Sequence, residues 1–298
     1  MVVDMHTHLA GGFSDAFVRE WISTTHYGDM PAWFKDGKET WKAEDFQKFW
    51  ADMYVEEMDN LGIDKVATWG INMLPYHCNS TVEEVAGVAK QYPDRIIPFH
   101  CGDPYAGEQG IKDLERAVKE FGFRGMKVFP SYNWMDPDDE RIFPLYEKCA
   151  ELGVPIVIHT GFTFNHRAYL RHHHPESLDA ICARFPEVPV IAAHFGFQFV
   201  EEAMTLMFKY KNLYGDLAWF LIYPVDWLAR TFAWAKNFHL IPRILFGSDY
   251  PLTDPDKEGI QRLTEVMEYQ VRHEIVPALT QEDLDMILEG NAKRLLGL

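Results

Sequence analysis

Val2-Val-Asp-Met-His6-Thr-His8 opens the chain, and the way this run ends decides the fold. A doubly wound nucleotide-binding sheet follows its first strand with a glycine-rich phosphate loop. Here the first apolar run, Val2–Met5, ends in His-Thr-His instead. Further apolar, β-branched runs at Lys65–Gly70, Ile96–His100, Gly125–Phe129, Pro155–His159, Pro189–Ala193, Leu213–Asp216 and Arg243–Gly247 read as strands. Helical patterns lie between them, among them Val82–Gln91, Ile111–Phe121, Glu140–Leu152, Ser177–Phe185 and Val200–Lys209. Asp136-Pro137-Asp138 and Pro175-Glu176 mark helix starts, and Gly122 and Gly153 mark left-handed helix ends. Eight strand–helix alternations in a chain of 298 residues predict an α/β fold, a (β/α)8 TIM barrel.

Residues 1–298 read as one barrel domain carrying an insertion at about 11–50. Gly11 to about Lys42 is rich in Trp, Phe, Gly and charge, and a helix is expected from about Glu44 to Leu61. The insertion is read as a lid over the barrel mouth. Its aromatics Phe13, Trp21, Trp33, Phe34 and Trp41 are equally suited to walling a pocket and to anchoring the loop.

Composition narrows the class. Against 28 Lys and Arg stand 45 Asp and Glu, a net charge of −17, which repels phosphate backbones and excludes nucleic acid as a partner. The apolar runs, such as Val188–Ala193, are too short to cross a membrane, and the start lacks the basic and apolar regions of a signal peptide. A cytoplasmic protein acting on a small molecule is therefore expected, with a homodimer or larger homo-oligomer left open. Cys78, Cys101, Cys149 and Cys182 form no CxxC pair and are expected as reduced buried thiols. There is no Gly-x-Ser-x-Gly elbow, Walker loop or dinucleotide fingerprint.

The polar ends of the strands carry the chemistry. His6 and His8, two apart on a strand, share a face, and two neutral imidazoles suit a borderline metal such as zinc. The fifth run ends in His159, the sixth in His194 and the eighth in Asp249. Each lies at the carboxyl end of its strand, where barrel active sites are built. One such terminus suits a core histidine or a cap, whereas several on independent strands point to a metal site.

Asp4-Met-His6-Thr-His8, Gly125-Met-Lys127-Val-Phe-Pro130, Val157-Ile-His159-Thr-Gly161, Ala193-His194-Phe-Gly196, Gly247-Ser-Asp249-Tyr-Pro251 and the tail Gly290-Asn-Ala-Lys-Arg-Leu-Leu-Gly297 occur in this order. Together they resemble the amidohydrolase superfamily, in its amidohydrolase 2 branch of aminocarboxymuconate-semialdehyde decarboxylase-like enzymes. The resemblance implies one divalent metal, zinc with manganese or iron(II) as alternatives, held by His6, His8, His159 and Asp249. It implies His194 beside the metal as an acid/base group or carbonyl polariser, with a second-metal ligand or a structural donor as the other readings. Asp249 doubles as a proton relay. Lys127 is read either as a carboxylated bridge between two metals or as a contact for an anionic substrate, the latter preferred.

Asp4 is read either as an acceptor orienting a ligand or as a group solvated at the far end of the barrel. The loop Thr160–His174 offers Arg167 and Arg171 for a substrate carboxylate, whereas its His172-His173-His174 run reads as a solvated polar segment. His100, ending the third strand, points at the same mouth and reads equally as a further substrate contact or as buried packing, and Asp216 with Trp219 and Phe220 are candidate pocket walls. The expected reaction is hydrolysis of a C–N, ester or lactone bond in a small cyclic or aromatic molecule. Non-oxidative decarboxylation of an aromatic or unsaturated acid is the alternative, and a non-catalytic metabolite-binding barrel the third reading.

Overall fold

Eight parallel strands form one sheet, hydrogen-bonded in chain order from first to last: β1 (Val3–His8), β2 (Lys65–Trp69), β3 (Ile96–Cys101), β4 (Met126–Val128), β5 (Ile156–Ile158), β6 (Val190–Ala192), β7 (Leu213–Asp216) and β8 (Ile244–Leu245). The computed structural model describes residues 1–9, 43–76, 78–163, 167–252 and 259–298. Beyond β8 the sheet closes on itself. Met5 donates its N–H to Phe246 O (2.9 Å), Asp249 to His6 O (2.8 Å) and His8 to Tyr250 O (2.8 Å), beside a parallel bridge between Thr7 and Tyr250. The expected α/β barrel is therefore the observed one.

Helices cover the outside of the sheet, so the strands are buried on both faces and need no polar alternation. They are α1 (Ala43–Leu61), α2 (Val82–Gln91), α3 (Glu108–Phe121), α4 (Phe143–Leu152), α5 (Leu178–Arg184), α6 (Val200–Lys209), α7 (Val225–Asn237), α8 (Ile260–Arg272), α9 (Gln281–Asp285) and α10 (Asn291–Leu296). Thr81 and Glu84 cap α2 reciprocally, and Gly122 and Gly153 end α3 and α4 at φ 71° and 66°, as expected of left-handed caps. Helix α4 begins at Phe143, later than the acidic Asp136–Asp138 turn, which instead receives the Tyr146 hydroxyl at Pro137 O (3.0 Å). Helix α1 starts at Ala43, next to the expected Glu44. Residues 10–42, including the five aromatics named above, lie outside the described residues.

Two departures from simple strand geometry position the site. The β1–β2 register runs Asp4↔Val66 and then Thr7↔Thr68, so β1 carries one extra residue across Met5 and His6. Such a bulge breaks the two-residue alternation and re-aims side chains. Asp4 consequently takes neither expected role. It accepts from His6 N (3.0 Å), Ser248 N (3.0 Å) and Ser248 Oγ (2.5 Å), tying β1 to the loop after β8. Burial pushes its carboxyl up to about 7.

The second is the docking of the tail. Asn291 is fully buried, and its amide donates to Ile241 O (2.8 Å) and Ile244 O (2.7 Å), locking α10 under β8. Replacing Asn291 by Ala removes both donors from buried carbonyls. The expected cost is about 1–3 kcal/mol, read as a lower Tm with unchanged metal content.

Candidate metal centre

At the carboxyl ends of the strands, side chains from opposite ends of the chain meet. Nε2 of His6 and Nε2 of His8 lie 3.2 Å apart, and each is 2.9 Å from Asp249 Oδ1. All three residues are buried, and together they present one ligand atom each to a common point. A second convergence involves His6, His194 and Asp216. His159 joins through His194, its Nδ1 standing 3.2 Å from His194 Nε2. Of the four residues expected as ligands, three therefore converge directly and the fourth lies against His194.

Hydrogen-bond partners assign the imidazole protons. His6 Nδ1 donates to Asp216 Oδ2 at 2.8 Å, which leaves its Nε2 lone pair facing Asp249 Oδ1. His194 Nδ1 donates to Ala218 O (3.0 Å) and His159 Nε2 donates to Phe162 O (2.9 Å), so the nitrogens they turn toward each other both carry lone pairs. Two acceptors at such distances repel unless a cation lies between or beside them. Protons do not serve easily. Burial drives His6 and His194 down to about 3 and His8 and His159 well below the usual histidine value, with Lys127 adding to the effect on His6 and His8 and His194 to that on His159. The donor set thus fits a divalent metal. His8 differs, because the Trp69 indole N–H donates to its Nδ1 (3.0 Å) and leaves its proton on Nε2, facing Asp249. Ligation through that nitrogen displaces this proton.

Asp216 organises the site. Besides His6, its other oxygen accepts the backbone N–H of His194 (2.9 Å) and of Ala218 (3.1 Å), and its own burial raises its pKa. The Trp219 indole N–H donates to Asp249 Oδ2. Holding these groups requires unusual backbone. His194, Phe195, Phe197, Trp219 and Asp249 all have positive φ, from 47° to 67°. Non-glycine residues pay for this conformation, and it gathers where function over-determines the chain.

Rings enclose the cluster. Trp69 packs on His6 and His8 at centroid distances of 4.7 and 5.5 Å, Phe129 on His8 and His159 at 5.9 and 5.8 Å, and Phe162 on His194 at 5.7 Å. Lys127 is fully buried among them. Its Nζ has no hydrogen-bond partner among the described residues and lies 4.9 Å from the ring centres of both Trp69 and Phe129. Burial lowers it to about 8, with Asp216 and Asp249 pulling it back up.

The remaining expected contacts lie elsewhere. His100 was expected at the mouth, but β3 pairs Cys101 with the inward Lys127, so His100 faces outward. Burial lowers its pKa to about 4, and the charges acting on it belong to Asp113 and Arg116 of α3. Arg167 and Arg171 are exposed, their guanidinium groups over Trp134 (5.2 Å) and Tyr169 (5.3 Å), and Arg171 Nε donates to His172 Nε2 (3.3 Å). The triple histidine is not the solvated run expected. His172 is buried against Asp136 (Nδ1 to Oδ1, 2.5 Å) and His173 is buried beside His159. The sequence reading gave Asp216, Trp69 and His173 no such roles. Asp216 and Trp69 end β7 and β2, so the strand-end argument that found His159 extends to them. No local signal marks His173.

Known proteins share this architecture. An uncharacterised TIM-barrel protein from Bordetella bronchiseptica superposes with a TM-score of 0.70 at 23% identity, over 99% of this chain and 98% of that one. The 5-carboxyvanillate decarboxylase of Novosphingobium aromaticivorans, solved with bound manganese and 3-methoxy-4-hydroxy-5-nitrobenzoic acid, superposes with a TM-score of 0.65 at 14% identity, over 100% and 97%. In sequence, 2-amino-3-carboxymuconate-6-semialdehyde decarboxylase of Dictyostelium discoideum is 23% identical over 172 residues, 53% of this chain and 48% of the relative. That match spans about half the relative's length. A model of the amidohydrolase family matches residues 3–298. The chain belongs to the amidohydrolase family, whose members are metal-dependent hydrolases and decarboxylases.

Proposed function

We propose that this chain is a carboxy-lyase, removing carbon dioxide from a small aromatic or unsaturated carboxylic acid at one divalent metal held by His6, His8, His159 and Asp249. Lys127 carries the reading. A buried ammonium with no hydrogen-bonding anion among the described residues, boxed by Trp69 and Phe129 beside the clustered histidines, calls for an acidic ligand. The named relative and the manganese-containing neighbour are both decarboxylases, in keeping with it.

His6, His8, His159 and Asp249 would hold a divalent cation, which would supply positive charge for the acid's oxygens. The protein does the rest. Trp69, Phe129 and Phe162 strip water from the carboxylate, which favours its departure as neutral carbon dioxide. The electron pair left on the ring or alkene carbon then takes a proton, so the balanced change is acid anion plus proton to hydrocarbon position plus carbon dioxide. That proton comes from solvent and is relayed by His194 or Asp249; the Nε2 lone pair of His194, which faces the centre while its Nδ1 is anchored on Ala218 O, takes it up and passes it to the carbon. Lys127 is preferred as the substrate contact rather than as a carboxylated bridge.

Hydrolysis of a C–N, ester or lactone bond is the second reading. The inward lone pair of His194 favours it, since it can take a proton from water.

A panel of hydroxybenzoates, unsaturated acids, amides and lactones separates the two. Carbon dioxide release without hydrolytic product is expected, and a hydrolytic product without carbon dioxide overturns the carboxy-lyase reading. Metal analysis of the purified protein should find about one divalent ion per chain, lost in His159→Ala and Asp249→Asn; a chain that never retains metal refutes both readings. Asp216→Asn should keep the fold and weaken metal affinity by about 10–100-fold, because the acceptor that orients His6 is impaired.

Lys127→Met should raise KM for the acid about tenfold or more with metal retained. The pH dependence follows from the lowered pKa of Lys127. The ammonium is present below its pKa and lost above it, so affinity for the acid should fall as pH rises through about 8. A dication at the histidines moves that fall to lower pH, and Lys127→Met should abolish it.

A further inference from the structure

His173 is buried at 0% exposure, and neither of its ring nitrogens has a hydrogen-bond partner among the described residues. Its ring stands edge-on to His159, with centroids 5.2 Å apart at an interplanar angle of 72°, and lies 6.1 Å from Tyr132. His159 is itself 4.8 Å from His194, so its ring touches a histidine on each of two sides. Only His194 meets it through a nitrogen.

The backbone holds His173 where it is. Gly161 donates its N–H to His173 O at 2.8 Å, binding the helical turn Leu170–His173 to the end of the strand that carries His159. One residue earlier, the His172–Asp136 contact fixes the same turn to the loop after β4. Fixed in this way, an imidazole that bonds to nothing costs stability, and unsatisfied buried groups of this kind concentrate where a ligand completes them.

The side chain's own chemistry defines what it recognises. A histidine in its ordinary neutral form offers one N–H and one lone pair, and both ring nitrogens of His173 are buried with no partner among the described residues. A carboxylate is better served by the Lys127 ammonium. A neutral donor–acceptor group suits a neutral donor–acceptor partner, which a hydroxyl is.

We infer that His173 is a specificity-determining residue of the substrate pocket, hydrogen-bonding an uncharged hydroxyl substituent of the acid beside His159. The inference rests on the acid-substrate reading above and adds the residue that selects among acids. It also accounts for a histidine that neither metal binding nor proton transfer uses.

Isothermal titration of the metal-loaded protein with benzoate and with 2-, 3- and 4-hydroxybenzoate tests it, in the wild type and in His173→Phe and His173→Gln. The wild type should bind at least one hydroxybenzoate about tenfold more tightly than benzoate. His173→Phe should erase that difference while keeping benzoate affinity, metal content and Tm, and His173→Gln should keep part of it. A preference that persists in His173→Phe, or a wild type that binds benzoate and all three hydroxybenzoates equally, overturns the inference and leaves the acid-substrate reading standing. Loss of metal or a lowered Tm in both variants also overturns it, since His173 would then be structural. A wild type that binds none of these acids refutes both readings together.

Discussion

Two acceptors facing each other in a dry site, His6 Nε2 and Asp249 Oδ1 at 2.9 Å, form the contact on which the rest of this molecule turns. Their lone pairs repel, burial keeps His6 from taking up a proton, and the Nε2 proton of His8 serves Asp249 but leaves the His6 lone pair facing it. A divalent cation is the simplest relief. The same conflict recurs between His159 and His194, so the cluster as a whole is built for positive charge. Lys127 supplies one such charge from within the barrel, and the attraction it offers survives an overall charge of −17 because the field inside a buried site is set by its nearest groups.

That contact exists because the barrel closes. His8 and Asp249 are 241 positions apart in sequence, and the seam between the first strand and the loop after the last brings them together. Asp4 and Ser248 tie the seam a few residues below the histidine–aspartate cluster, while Asn291 braces β8 from underneath. The bulge in β1 belongs to the same device, since it frees Asp4 to make the tie while His6 and His8 point to the centre. Positive-φ residues at the ends of β6, β7 and β8 show where the chain gives up backbone comfort to aim ligands and their acceptors. Stability and chemistry are thus set against each other over a small region, a common arrangement in enzymes.

Much of this was legible from residue order. Apolar runs long enough for a strand and helical patterns long enough to cover it leave few ways to bury both faces, and the strand-end residues then fall at one end of the barrel. His6, His8, His194, His159 and Asp249 were found on that ground. Misreadings arose where a rule of local geometry was extended too far. His100 follows its strand as the ligand residues do, yet register with Lys127 turns it outward. Asp4 precedes a bulge that interrupts the alternation of its strand. The triple histidine looked like a polar surface run, because polarity along a loop gives no sign of which side chains the loop folds inward.

The sequence by itself determined the fold class, the family and the residue types at the strand ends, because hydrophobic periodicity and ordered motifs are properties of the chain read along its length. Only the tertiary structure decided which nitrogen faces which oxygen, that Asp216 and Trp69 orient His6 and His8, and that Lys127 and His173 have no hydrogen-bond partner among the described residues. Those outcomes depend on strand register and loop path, which are fixed by packing between segments far apart in the chain and leave no trace in local sequence.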